Sequence, residues 1–285
     1  MNKYLVAIDG SGYSIDALET AIKFAKKAGG TITLITVLST DALGFGTQNI
    51  RSYNSTLDEN TDKLRSYLDE IKEKYASDKY EIEKIIRIGN ISNEIIEESE
   101  KHDLLFIGSR GLGAVKRAFL GSVSGKVINN VDIPAIVVKE DTEFNKILVP
   151  VDGSRHSKKA LITANEIGKY FDSKIILLNV INSIHLPQME TFDLEMAINF
   201  NEEASRESAE LLDRAGGYID DYPNNIELIS SEGDAASIIV EVAEENDVDL
   251  IVMGSKGLGA FRSAFMGSVS TDVVNKSSKS VLINH

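Results

Sequence analysis

Two consecutive doubly wound α/β domains are what this sequence predicts, and three observations carry the prediction. Short apolar runs alternate with segments whose apolar residues recur at helical spacing, the pattern of parallel strands joined by right-handed crossover helices. The stretch GSRGLGAVKRAFLGSVS at Gly108–Ser124 returns as GSKGLGAFRSAFMGSVS at Gly254–Ser270. The chain has 285 residues, room for two domains of about 140, each able to bury a core. The expectation is a first domain at 1–141 and a second at 142–285. Each is a five-stranded, mainly parallel sheet covered by helices on both faces, and the two are related by a pseudo-two-fold axis.

The first half opens with an apolar strand, Tyr4 to Ile8, that runs into Asp9-Gly10-Ser11. Ser14 to Ala28 follows with Ile15, Leu18, Ile22 and Ala25 on one helical face, and Gly29-Gly30 stops it. Thr31 to Leu38 is β-branched and reads as the second strand. The polar segment Ser39 to Ser55 is too long for a tight connection, and Leu57, Leu64, Leu68, Ile71 and Tyr75 then mark a long amphipathic helix capped near Ser55. Tyr80 to Ile88 is a third strand, less apolar and so nearer an edge. Ile91 to Lys101 is a helix and Leu104 to Ile107 a fourth strand. The glycine loop leads into a helix at Ser122 to Asn130, and Pro134 to Val138 is the fifth strand.

The second half repeats this order. Its strands are expected at Ile147–Val151, Lys174–Ile181, Ile226–Ser230, Leu250–Met253 and Val281–Ile283. Its helices are expected near Lys158–Phe171, Leu194–Arg214, Ala235–Glu245 and Ser268–Lys276, and Asp141 to Lys146 is the junction.

Composition narrows the function classes. A formal net charge of -14 argues against a general nucleic-acid binder, because phosphate contacts supply most of that affinity and need a basic face. Much of the acidic excess lies between Glu190 and Asp221, where Glu202, Glu203, Glu207 and Glu210 read as a solvated helix face. No apolar run approaches the roughly 20 residues that span a bilayer. The start MNKYLVAIDG has no signal-peptide pattern, and the absence of cysteine removes any disulfide framework or thiolate metal site, so a cytoplasmic location is expected.

The candidate chemistry sits at strand ends. Each glycine loop leaves the carboxyl end of a buried strand, where ligands bind doubly wound sheets. It holds Gly108, Arg110, Gly111, Gly113 and Gly121 in the first copy, and Gly254, Lys256, Gly257, Gly259 and Gly267 in the second. Glycines permit backbone conformations closed to other residues and close approach to a ligand. The helix openings Ser122-Val123-Ser124 and Ser268-Val269-Ser270 offer unpaired amides and the positive end of a helix dipole, which suits phosphate, and the serines add hydroxyls. Lys116, Arg117 and Arg262 are further loop cations. Asp9-Gly10-Ser11 and Asp152-Gly153-Ser154 follow the first strand of each half. Those carboxylates suit an adenine amino group, a ribose, or a metal near phosphates, or else an Asx turn capping the next helix.

Other phosphate motifs fail. Neither loop supplies the Lys-Ser/Thr pair of a P-loop, and Ile15 and Arg155 break the dinucleotide fingerprint. No oriented base or nucleophile stands out, so no catalytic residue is assigned. His102, His156, His185 and His285 occupy no matching positions and read as solvated loop or terminal residues, and Glu97-Glu98 as a solvated helix face.

With these loops the chain resembles the universal stress proteins, whose nucleotide-binding members carry the spacing Gly-x2-Gly-x9-Gly-Ser. Gly108, Gly111, Gly121 and Ser122 match it in one half, and Gly254, Gly257, Gly267 and Ser268 in the other. The resemblance implies a stress-response protein with two sites for ATP, or for ADP or AMP, with Mg or Mn accompanying the nucleotide, acting as a binding and regulatory module. It also implies that Asp9 and Asp152 line an adenosine pocket and that the backbone at Val37 and Val180, ending the second strands, meets adenine. Two alternatives stay open: a slow ATPase or phosphoryl-transfer enzyme, against which the missing base speaks, and a dimerising module that binds no nucleotide, against which the intact glycine spacing speaks. The fifth strands, as sheet edges, are expected to pair the two domains within the chain. A homodimer of whole chains and a regulatory protein partner are left open.

Overall fold

The computed structural model describes residues 1–39, 50–111, 120–181, 194–219, 225–257 and 266–285, with the backbone alone for 50–56 and 194–200. The chain divides into two units, Met1–Glu143 and Phe144–His285. Gly113, Lys116, Arg117, His185, Gly259 and Arg262 lie outside the described residues.

The first unit runs β1 (Lys3–Ala7), α1 (Gly12–Ala28), β2 (Thr31–Ser39), α2 (Ile50–Lys74), β3 (Glu81–Gly89), α3 (Ile91–Ser99), β4 (Leu104–Gly108), α4 (Ser122–Ile128) and β5 (Ala135–Val138). The second runs β6 (Lys146–Pro150), α5 (Arg155–Phe171), β7 (Lys174–Ile181), α6 (Leu194–Gly216), β8 (Ile226–Glu232), α7 (Ala235–Glu245), β9 (Leu250–Gly254), α8 (Ser268–Lys276) and β10 (Ser280–Asn284). Within the first unit the strand order is β3-β2-β1-β4-β5, and within the second it is β8-β7-β6-β9-β10. Every described pairing inside a unit is parallel. The alternating α/β fold is thus present twice, and β3 takes an end position in its unit, as expected of the less apolar strand.

Burial follows from this topology. In a parallel sheet with helices on both faces the inner strands meet apolar side chains on either side, so their sequences run apolar without alternation. LLFIG in β4 and LIVMG in β9 are buried at every position. In the first unit Tyr4, Phe24 and Phe106 form an edge-to-face cluster with centroids 5.4 to 6.3 Å apart, and the Tyr4 hydroxyl donates to the Gly29 and Met1 carbonyls. The second unit fills the corresponding space with aliphatic side chains, among them Ile147, Ile167 and Val252, each 0% exposed.

Some boundaries differ from expectation. Helix α2 starts at Ile50, so Ser55 lies inside it instead of capping it. Propensity is a weak prior there, and the helix is carried instead by a stripe at Leu68 and Ile71 that is buried under the sheet. Helices α1 and α5 begin two to three residues earlier than their apolar faces suggest, because Ser11 and Ser154 cap them. Among the described residues no helix is long and apolar enough to cross a membrane.

Candidate functional site

In each unit the chain winds one way from its first strand and the other way from its fourth. Strands β1 and β4, and likewise β6 and β9, therefore flank the switch point where the connecting loops diverge and leave a crevice. The turn after β1 and the glycine loop after β4 meet there.

The turn is the same in both units. Asp9 Oδ1 accepts from the Ser11 amide at 2.9 Å and the Ser11 hydroxyl at 2.6 Å, and Asp152 Oδ1 accepts from the Ser154 amide at 2.9 Å. Gly10 and Gly153 supply the left-handed backbone this Asx turn needs, at φ 85° and 81°. Ser11 and Ser154 then accept from the amides of Ser14 and Ser157 at 3.2 and 3.1 Å, opening α1 and α5. One carboxylate oxygen of each aspartate is thus occupied by the turn. The other lies against the glycine loop: a Cβ on Gly111 would strike Asp9 Oδ2, and one on Gly257 would fall 2.7 Å from Asp152 Oδ2.

Close approach, not unusual backbone geometry, explains the loop glycines. Gly108, Gly111, Gly254 and Gly257 are absent from the positive-φ residues. A Cβ on Gly108 would fall 2.7 Å from the Tyr13 carbonyl oxygen, and one on Gly254 the same distance from His156 carbon atoms, so the first turns of α1 and α5 pack directly on the strand ends. At Gly121 and Gly267 the backbone is extended, and an added Cβ would meet atoms no nearer than 3.4 Å.

The openings of α4 and α8 are stapled to the same strand ends. The Gly121 and Gly267 amides donate to the Ser109 and Ser255 carbonyls at 2.8 and 2.7 Å. The buried Ser124 and Ser270 hydroxyls donate to the Gly108 and Gly254 carbonyls at 2.7 and 2.8 Å. Those two hydroxyls are therefore committed to the protein, which leaves the exposed Ser122 and Ser268 hydroxyls and the first-turn amides of Ser122 to Ser124 and Ser268 to Ser270 at the crevice. Helices α1, α3, α5 and α7 carry side-chain caps from Ser11, Asn90, Ser154 and Asp234, whereas α4 and α8 open on glycine with no side-chain cap. Their first amides lack intrahelical acceptors, so these two openings offer donors to an anion.

The surrounding charge differs between the units. Arg110 donates to the Tyr13 hydroxyl at 3.1 Å and sits 5.6 Å from that ring's centroid. Beyond β5, burial and then the Arg110 charge push the Lys139 ammonium down to about 8. In the second unit the Lys256 carbonyl accepts from the Ser154 hydroxyl at 3.4 Å. Burial, and then Lys159, Lys256 and Arg155, hold the His156 imidazole below its usual value, with Asp152 opposing. Tyr67 lies over the Gly10 turn, where the second unit has Leu211 over Gly153. Val37 and Val180 lie half-buried near the carboxyl ends of β2 and β7, which continue to Ser39 and Ile181.

Four residues read as solvated are not. His285 is half-buried, with its Nε2 shielded from solvent. His102 is 9% exposed, with Nδ1 2.9 Å from the Glu98 carbonyl. Glu98 is 4% exposed and bridges Arg87 at 2.5 Å and Lys101 at 2.9 Å. His156 is half-buried in the first turn of α5. His102, Glu98 and His156 owe their burial to helix packing that local polarity does not encode. Tyr13, Tyr67, Lys139 and His156 were missed as candidates, although superposing the two halves on their Asp-Gly-Ser turns would have singled out Tyr13 and His156. Among the described residues no group of three or more His, Cys, Asp or Glu is placed to hold a metal.

The chain matches the Universal stress protein family twice, over residues 1–139 and again over 143–285. It belongs to the universal stress protein family. A universal stress protein of Mycolicibacterium smegmatis is 24% identical over 98% of this chain and 95% of its own length. The universal stress protein YxiE of Bacillus subtilis is 30% identical over 49% of this chain and 98% of its own. Among solved structures, a universal stress protein from Archaeoglobus fulgidus shares the fold with a TM-score of 0.71 at 24% identity, covering 99% of this chain and 97% of that one. The tandem organisation thus has a full-length relative, while YxiE corresponds to about half of the chain.

Proposed function

We propose that this tandem universal stress protein binds two adenine nucleotides, one at each switch point, and acts as a binding and regulatory module in a stress response. The observation that supports it best is the pair of helix openings at Gly121 and Gly267, uncapped by side chains and held at the carboxyl ends of β4 and β9. The amides of Ser122 to Ser124 and Ser268 to Ser270, with the Ser122 and Ser268 hydroxyls, take the phosphates, and Arg110 and Lys256 supply countercharge. Asp9 and Asp152 present their second carboxylate oxygen to the ribose or the adenine amino group, and the backbone at Val37 and Val180 borders the base. ATP is the favoured ligand, with ADP and AMP as competitors. A Mg or Mn ion would reach the site on the phosphates and neutralise them, since the donor set offers one carboxylate at each switch point.

Calorimetric titration of the full chain with Mg-ATP is expected to give a stoichiometry near two. Ser122→Asp with Ser268→Asp is expected to weaken binding at least about tenfold while leaving the melting temperature unchanged or raised, because aspartate at a helix opening repels phosphate yet suits the dipole. No binding of ATP, ADP or AMP at millimolar concentration would overturn the reading in favour of a module that binds no nucleotide. ATP hydrolysis as the function is the second reading. It is favoured only if steady-state phosphate release exceeds about 1 s⁻¹, the lower end of ordinary turnover. Cytoplasmic location, pairing of the two domains through their fifth strands, a homodimer and a protein partner belong to the same proposal.

A further inference from the structure

The two candidate sites differ at one place that touches both the strand end and the charge of the crevice. Tyr13 and His156 both lie in the first helical turn after the Asp-Gly-Ser turn, packed on the strand-ending glycine, Gly108 or Gly254. Each glycine's carbonyl accepts from the serine of the helix opening, Ser124 or Ser270, so each aromatic residue stands one contact layer from the proposed phosphate cradle. In the first site the residue is a phenol that holds Arg110 and carries no positive charge at any pH.

In the second site it is an imidazole among cations. Arg155 and Lys159 come from its own helix and Lys256 from the loop after β9, with Asp152, in the turn before α5, as the opposing charge. Lys159 also reaches the His285 carbonyl oxygen beyond β10. The strands under this end of α5, β6, β9 and β10, carry no acidic or basic residue at their carboxyl ends.

Resting on the nucleotide reading above, we propose that the second site is proton-linked through its imidazole: His156 takes one proton from solvent as the phosphates of a nucleotide dock at the Ser268 helix opening. Burial first, and then the cation cluster, disfavour imidazolium while the site is empty of anion. A polyanion placed among the same cations reverses the local field, and an imidazolium there adds a further positive charge to the cluster. Nucleotide affinity at this site rises as pH falls through the window between the free and the bound His156 midpoints, whereas the titrating neighbour of the first site, Lys139 at about 8 beside Arg110, is already largely charged there.

The test is a histidine NMR pH titration of the full chain with and without saturating Mg-ATP, the His156 signal being assigned by its loss in His156→Asn. Stoichiometry is measured in parallel by calorimetry. The expected result is two nucleotides bound and a His156 midpoint raised by ATP by about one unit, which corresponds to about tenfold coupling between proton and nucleotide. The affinity of the unaltered second site relative to His156→Asn should rise toward that factor as pH falls from neutrality through the free His156 midpoint, a ratio that cancels the titration of ATP itself. Two nucleotides bound with an unmoved or lowered His156 midpoint would overturn this inference and leave the nucleotide reading standing. Failure of ATP to bind at all would overturn both. The NMR comparison needs only the unaltered chain once the signal is assigned, so it survives a poorly folded variant at lower pH.

Discussion

Where the first unit packs Tyr4, Phe24 and Phe106 edge to face, the second places Ile147, Ile167 and Val252, and all six side chains are 0% exposed. Where α3 buries Glu98 between Arg87 and Lys101, α7 buries Val242 at the same point of its inner face. The carboxyl edges of the two sheets behave differently. There the Asx turn, the glycine pressed against the first helical turn, the aspartate oxygen at the loop glycine and the serine on the strand-end carbonyl recur with distances that agree within a few tenths of an ångström. Core positions accept side chains of different shape and size where the surrounding apolar side chains repack around them. The carboxyl edge lacks that freedom, because its geometry is made by backbone atoms and short polar side chains that have no substitute of equal reach.

The largest effect that would sharpen this contrast is expected in the aromatic core. Phe106→Ala should destabilise the first unit by about 3–5 kcal/mol, and Val252→Ala should cost the second only ~1–2 kcal/mol, since fewer methylenes are removed. Hydrogen exchange resolved to β4 and β9 checks both, and equal losses would break the comparison.

An intermediate effect is expected at the glycines. Gly108→Ala and Gly254→Ala should each cost about 1–3 kcal/mol, because the new methyl group meets helix backbone that has nowhere to go. Gly121→Ala, in extended backbone with ordinary contacts, should stay within about 0.5 kcal/mol. Urea denaturation of the three variants decides whether approach or conformation is the constraint.

The smallest effect is expected in acid. Burial works against the Glu98 carboxylate, but the hydrogen bonds from Arg87 and Lys101 prevail and hold it below the usual carboxylate range. A depressed folded value means that the stabilisation is fully present above the unfolded value of about 4.3 and is lost as pH falls through the lower folded value. The first unit should therefore show an acid loss that Glu98→Gln removes, at a cost near neutrality of about 1 kcal/mol, because both cationic partners are largely solvated. The second unit, with Val242 in that place, should show no component from this position. Melting each unit by hydrogen exchange between neutral pH and roughly pH 3 reads the difference.

Much of the fold was legible along the chain because each element announces itself locally. The unbroken apolar runs at Leu104–Ile107 and Leu250–Met253 mark strands covered on both sides. The repeated Gly-x2-Gly-x9-Gly-Ser marked both candidate sites, and the Asp-Gly-Ser turns marked the other wall of each. Glu98 and His102 escaped because a polar side chain beside a helix end looks the same in sequence whether or not a neighbouring element covers it.

The sequence by itself thus determined the alternation of elements, the duplication, and which short motifs would stand at strand ends, since all of these depend on spacings within one element or one turn. Tertiary structure alone decided what those motifs touch. Arg110 finds Tyr13 across 97 residues of chain, Asp9 meets Gly111, and Tyr67 covers Gly10, while Lys256 and His156 are brought together in the second unit. Such meetings are set by strand order and by how closely a helix can approach a strand end without a Cβ between them. A spacing rule within one element cannot encode them, because the two partners belong to elements whose distance apart is fixed only when the sheet assembles.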